Sequence, residues 1–185
     1  MRVRHLILDR DGVLNEEAPA RGYVTRPEAW RWIPGALEAL ASFARAGVRV
    51  TVATNQSGVG RGLMTQRDLD EVHARMLREA RVAGGRIDAL FACPHAPGEG
   101  CPCRKPAPGL IEAAVAASGV PVAETLAVGD DGRDLEAARG AGVPAALVLT
   151  GKGRAALATL SWPDVPVYDD LMALARALAA EHPVR

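Results

Sequence analysis

His5-Leu6-Ile7-Leu8-Asp9-Arg10-Asp11-Gly12-Val13-Leu14-Asn15 is the stretch on which the reading of this chain turns. His5-Leu6-Ile7-Leu8 is short, apolar and followed by Asp-Gly, the pattern of a buried strand that ends at Asp9. Asp9 and Asp11 stand two apart, and Gly12 lets the chain turn sharply behind them. One carboxylate can attack while the other gives or takes a proton.

Outward from this strand, Pro34-Gly35 opens a helical pattern with Leu37, Leu40, Ala41 and Ala44 at helix spacing, closed by Gly47. Val48 to Ala53 alternates and is β-branched, a second strand. Thr65 with Asp68 forms a capping-box pattern before a helix to about Arg81, with Leu69, Val72, Met76 and Ala80 on one face. Further strands are expected at 88–92, 125–128, 145–149 and 165–168, and helices at 108–118, 134–141 and 171–180. The Ala/Leu-rich closing helix is explained by helix propensity. Strands alternating with helices define an α/β class: a Rossmann-like three-layer sandwich around a mostly parallel sheet.

Composition bounds the function. The chain has 185 residues, 49% of them hydrophobic and 24% charged, which fits one globular domain over 1–185. Lys plus Arg number 22 and Asp plus Glu 22, so the net charge is 0. A general polyanion binder needs a basic footprint, so nucleic acid is not the expected partner. No window approaches the ~20 apolar residues of a membrane span. Leu6-Ile7-Leu8 is too short for a signal-peptide core, and a cytoplasmic, monomeric protein is expected.

In open α/β sheets ligands bind outside the carboxyl ends of the strands. Polar residues gather at those ends: Asp9 and Asp11, then Thr54-Asn55-Gln56-Ser57, then Cys93 and His95 with Arg104-Lys105 soon after, then Asp130-Asp131. Carboxylates crowded on one rim repel one another unless a hard cation lies between them, and Mg²⁺ suits oxygen ligands and a phosphate. Thr54 and Asn55 offer donors to phosphate oxygens, and Lys105 offers a point charge. The sum is a phosphoryl-transfer site.

All three cysteines fall in one loop, Cys93-Pro94-His95 and Cys101-Pro102-Cys103. The C-x-H-x₅-C-x-C pattern matches a closed, structural Zn²⁺ site over 93–103, which would stiffen the approach to Arg104-Lys105. His5, His73 and His182 read as structural or surface residues.

LILDRDGVLN, VATNQSG, Arg104-Lys105-Pro106 and Gly129-Asp130-Asp131-Gly132-Arg133-Asp134 resemble, in order, the four motifs of haloacid-dehalogenase-type phosphatases. The resemblance implies Asp9 as a nucleophile that forms an aspartyl-phosphate and Asp11 as acid and base. It implies Mg²⁺ on Asp9, the Asp11 carbonyl and Asp130, with Thr54 and Lys105 on the phosphoryl group. Asp134 would support the site from behind. Within that superfamily the zinc loop followed by Arg104-Lys105-Pro106 resembles heptose-bisphosphate phosphatases and the related histidinol-phosphate phosphatases, and Gly22-Tyr23-Val24 and Ser57-Gly58-Val59-Gly60-Arg61-Gly62 resemble the heptose branch. The five-residue spacing inside the loop is shared with the histidinol-phosphate branch, and Asp131 stands where the heptose branch often has Lys.

No segment is long enough for a large cap domain, so rim loops are expected to select the substrate. Gly22, Tyr23, Asn55, Gln56, Ser57, Arg104 and Asp131 are the candidate substrate contacts. The expected partner is a small phosphorylated metabolite, a sugar bisphosphate first. Histidinol phosphate, a phosphorylated nucleic-acid end, a non-catalytic phosphate-binding role and a zinc-dependent nucleic-acid binder stay open at this point.

Overall fold

The computed structural model describes residues 2–17 and 22–181. Its sheet is built from β1 (His5–Leu8), β2 (Arg49–Asn55), β3 (Ala89–Cys93), β4 (Thr125–Gly129), β5 (Ala145–Val148) and β6 (Val167–Tyr168). The helices are α1 (Ala36–Arg45), α2 (Gln66–Val82), α3 (Gly109–Ser118), α4 (Gly132–Gly140), α5 (Gly153–Thr159) and α6 (Leu171–Glu181). The strand order is β3-β2-β1-β4-β5-β6, and every pairing is parallel. The order reverses at β1, which pairs with β2 on one side and β4 on the other. That switch point opens a crevice at the carboxyl ends of the strands.

The period-two alternation of the strands sorts their side chains into two cores. Leu6, Leu8, Val50, Val52, Leu126 and Val128 join Phe43 of α1, Met76 of α2 and Leu174 of α6 in one layer. Ile7, Ala53 and Ala127 meet Leu110 and Ala114 of α3 and Ala138 of α4 on the opposite face. The result is the three-layer sandwich expected. The buried face of α1 centres on Ala39, Leu40 and Phe43, with Leu37 only partly buried.

The capping box at Thr65 is present: Thr65 Oγ accepts from the Asp68 amide and the Asp68 carboxylate accepts from the Thr65 amide. His73 joins the apolar residues on the inner face of α2. Helix α5 lies in a stretch for which the sequence reading assigned no element. His182 lies outside the described residues. Among the described residues, neither the segment between β1 and α1 nor that between β2 and α2 holds a further domain; the first contains one short 3₁₀ turn, Pro27–Ala29. No helix among them is long and apolar enough to cross a membrane.

Candidate active site

A cavity of about 490 Å³ opens over the carboxyl end of the sheet. Asp9 and Asp11, Thr54 and Asn55, Asp130 and Asp131, Arg104 and Lys105 all line it, so the sequence-distant loops do converge. Gly22, Tyr23 and Ser57 lie on its wall as well, with Glu17, Arg61, Arg133, Asp134 and Lys152.

The β1 turn places the two aspartates differently. Gly12, at φ 85°, brings its backbone so close to the Asp130 carboxylate that a Cβ there would overlap it. The Asp9 carboxylate lies at the cavity floor, with Oδ1 2.8 Å from Lys105 Nζ. The Asp11 carboxylate sits in a ring of donors. Arg10 Nη2 donates to it at 3.0 Å, Asn15 Nδ2 at 2.8 Å and Gln56 Nε2 at 2.6 Å. Burial alone would raise the Asp11 pKa, but the Arg10 charge and these three donors outweigh it and hold the carboxyl below its ordinary range.

Arg10 is itself fully buried. Its Nη1 meets His73 Nε2 at 3.0 Å, and its guanidinium lies 5.7 Å from the centre of the Trp30 ring. Burial first, then the Arg10 charge, lowers the His73 pKa to about 4, so the ring is neutral and accepts the hydrogen bond. His73 is structural, as expected, and so is His5, which sits between Thr51 and Thr125.

Lys105 is anchored from several directions. Its Nζ donates to Ala53 O at 2.8 Å and stands 2.6 Å from Asp134. Its backbone is clamped by Asn55, whose amide donates to Lys105 O and accepts from Lys105 N. Burial would depress the Lys105 pKa, yet Asp134 and Asp9 raise it well above the ordinary lysine value. The ammonium is therefore a fixed charge at the floor.

Side-chain oxygens of Asp9, Asp130 and Asp134 lie within 4.8 Å of one another. Burial, then repulsion from Asp9, pushes the Asp130 carboxyl up to about 8; burial likewise pushes Asp9 up to about 6, moderated by Lys105. Such frustrated carboxylates fit a small hard cation. The Asp11 side chain is not in this set.

Two of the expected contacts make links within the protein. Gln56 is buried and does not line the cavity; its amide joins Asp11 to Thr54 Oγ, 3.0 Å away. Asp131 caps α4, accepting from the Arg133 amide, and pairs with the Arg133 side chain at 2.7 and 3.1 Å. Asp134 closes that capping box by accepting from the Asp131 amide. On the opposite wall Tyr23 Oη and Ser57 Oγ lie 2.8 Å apart.

The Cys/His loop leaves β3 at Cys93. Cys101 Sγ lies 3.6 Å from Cys93 Sγ and 3.5 Å from Cys103 Sγ, and His95 Nδ1 lies 3.5 and 3.4 Å from Cys93 and Cys103. These are too long for a disulfide, and all three thiols are free. They match the edges of a tetrahedron around Zn²⁺, about 3.7 Å for Zn–S bonds of about 2.3 Å. The donor set fits the metal. Gly109 N donates to Pro102 O and Gly60 N to Pro94 O, tying the loop to α3 and to the loop after β2.

A parallel α/β sheet with acidic, cationic and amide groups gathered at its switch point defines a phosphohydrolase of the haloacid-dehalogenase-like class. A family model described as HAD-hydrolase-like matches residues 102–174. The D-glycero-beta-D-manno-heptose-1,7-bisphosphate 7-phosphatase of Bordetella bronchiseptica is 44% identical over 177 residues, covering 95% of this chain and 98% of that protein. The enzyme of the same name from Pseudomonas putida is 42% identical over 94% of this chain and 98% of its own length. The crystal structure of the B. bronchiseptica D,D-heptose 1,7-bisphosphate phosphatase, complexed with magnesium and phosphate, superposes with a TM-score of 0.91 at 43% identity, covering 98% of this chain and 99% of that one. The chain belongs to this family of haloacid-dehalogenase-like phosphatases.

Proposed function

We propose that the chain, as a single-domain monomer in the cytoplasm, removes the C7 phosphate of D-glycero-β-D-manno-heptose 1,7-bisphosphate. The phosphatase chemistry follows from the family. The substrate rests on the names of relatives that match nearly the whole chain. The observation that carries the mechanism is the Asp9 carboxylate at the cavity floor, 2.8 Å from a Lys105 ammonium that is itself fixed by Asp134.

Asp9 attacks phosphorus, the P–O bond to C7 breaks, and the phosphoryl group passes to the Asp9 carboxylate. The leaving alkoxide takes a proton from Asp11. The donor ring keeps Asp11 ionised in the free enzyme. An entering phosphate dianion raises its proton affinity, because like charge disfavours the ionised form. In the second step Asp11 takes a proton from water, which displaces Asp9 and releases phosphate. Lys105 and Thr54 hold the phosphoryl oxygens, and Asp134 keeps Lys105 in place. Asp9, Asp130 and the Asp11 carbonyl would hold Mg²⁺, which neutralises charge on the transferring group when bound. Gly22, Tyr23, Asn55, Ser57 and Arg104 would frame the sugar. Gln56 and Asp131 would act through Asp11 and Arg133. Cys93, His95, Cys101 and Cys103 would hold a structural Zn²⁺.

Steady-state phosphate release with Mg²⁺ tests the substrate. The β anomer of the bisphosphate is expected to exceed both the α anomer and histidinol phosphate in kcat/KM. A margin above about a hundredfold, roughly 2.7 kcal/mol, decides it. A histidinol-phosphate winner overturns the substrate but leaves the chemistry.

A further inference from the structure

Five cationic side chains line the active-site cavity: Arg61, Arg104, Lys105, Arg133 and Lys152. Three of them already have carboxylate partners. Lys105 pairs with Asp9 and Asp134, Arg133 with Asp131, and Lys152 with Glu17. Among the described residues, Arg61 and Arg104 have none. The transferring phosphoryl group is met by Lys105 at the floor, so these two guanidiniums are charge in excess of what a monophosphate requires.

Both are anchored to one short piece of backbone. Arg104 Nη1 reaches the His95 carbonyl at 3.4 Å. Gly60, the neighbour of Arg61, packs so tightly on the same segment that a Cβ there would lie 2.7 Å from both Pro94 O and Ala96 N. Gly60 N donates to Pro94 O at 2.9 Å, and Arg61 N donates to Ser57 O at 3.0 Å, which pins the loop at both ends of the glycine. The carboxylate nearest this contact, Glu99, accepts the Ala96 amide at 2.7 Å and is absent from the cavity lining.

We propose that Arg61 is a specificity-determining residue that, with Arg104, receives the second phosphate of a bisphosphate substrate at the cavity rim. The inference rests on the bisphosphate reading above. A guanidinium presents a fork of donors that fits phosphate oxygens bidentately, and the Gly60 contact fixes where that fork starts.

The test is steady-state kinetics on the heptose 1,7-bisphosphate and on p-nitrophenyl phosphate. The proteins are wild type, Arg61→Ala, Arg61→Lys, Gly60→Ala and Arg67→Ala. Arg61→Ala is expected to lose about 10- to 100-fold in kcat/KM on the bisphosphate, mainly through KM, and less than about threefold on the monoester. Arg61→Lys recovers part of the loss. Gly60→Ala shows the same selective loss with Arg61 intact. Arg67→Ala removes an equal charge from the exposed face of α2 and keeps wild-type values on both substrates. A melting curve confirms that each variant is folded; Arg61 is exposed, so Arg61→Ala melts with the wild type. Equal losses on both substrates, or none on the bisphosphate, overturn the role of Arg61 while the substrate reading stands. A wild-type enzyme that does not favour the bisphosphate overturns that reading, and this inference with it.

Discussion

Lys105 Nζ stands 2.6 Å from Asp134 Oδ1, a shorter contact than the 2.8 Å it makes with Asp9. The buried carboxylate of α4 therefore holds the lysine that faces the reacting group. Removing one member of a buried ion pair leaves an uncompensated charge. Asp134→Asn is expected to lose about 3 kcal/mol of stability by urea titration, at the low end because Asp9 remains as a partner. Its kcat/KM falls by about 10²-fold because Lys105 leans onto Asp9 and blunts it. A variant with wild-type kcat would remove Asp134 from the positioning role.

Asp9→Asn separates function from stability. Burial has pushed the Asp9 carboxyl up to about 6, so the ionised form is disfavoured in the fold relative to the unfolded chain. The ordinary value is 3.8, so the group costs stability increasingly from about pH 4 to pH 6 and fully above that. Without Mg²⁺ at pH 7.5, Asp9→Asn is expected to melt no lower than wild type, while turnover drops by more than about a thousandfold. Substantial residual turnover would sink the covalent mechanism, and a clear drop in melting temperature would sink the strain argument.

The strand ends were readable because each chemical group follows a short apolar run, and β-sheet geometry delivers such ends to one rim. Asp9, Thr54 and Asp130 needed nothing more. The Cys/His loop was readable because four soft ligands in so short a stretch have few other uses. What spacing could not show is which way a side chain turns once the strand has ended. Gln56 looked like a rim amide, yet it points inward because Asp11 and Thr54 offer it partners there. Arg10, between two aspartates, reads as a loop residue. Its burial depends on Trp30 and His73 closing over it from segments far along the chain. Asp131, a candidate substrate contact from the sequence, lines the cavity and also caps α4, a second role that spacing did not show. Arg61 carried only a family signal; its place on the cavity wall, with no carboxylate partner among the described residues, needed the fold to be seen.

The Cys/His cluster predicts a stoichiometry and a mechanical effect. Metal analysis is expected to give one Zn²⁺ per chain, and Cys103→Ser to lower that content. Burial pushes the Cys93 thiol up to about 12, so a thiolate there needs a cation beside it. Because Cys103 directly precedes Arg104-Lys105, loss of the metal should cost about 10- to 100-fold in kcat/KM and lower the melting temperature together. Full activity in a zinc-free preparation would show that the loop holds its shape unaided.

His5 gives a pH dependence of stability that is separable from catalysis. It is buried at the centre of the sheet, with Nε2 2.9 Å from Thr51 Oγ and Nδ1 3.4 Å from Thr125 Oγ. Burial lowers its pKa from 6.5 to about 4, with smaller opposing contributions from Asp88 and Arg49. Between those two values the unfolded chain binds the proton and the folded one does not. Stability from this group is therefore complete above pH 6.5 and is lost progressively as the pH falls towards 4. The raised carboxyls of Asp9 and Asp130 act in the opposite sense in the metal-free protein, so the wild-type slope alone is ambiguous. The comparison that isolates His5 is His5→Gln against wild type. The variant is expected to be less stable at pH 7.5, where it lacks the imidazole packing, but to lose less on going to pH 5. Urea midpoints at both pH values measure this, and parallel losses in the two proteins would mean that His5 does not titrate with folding.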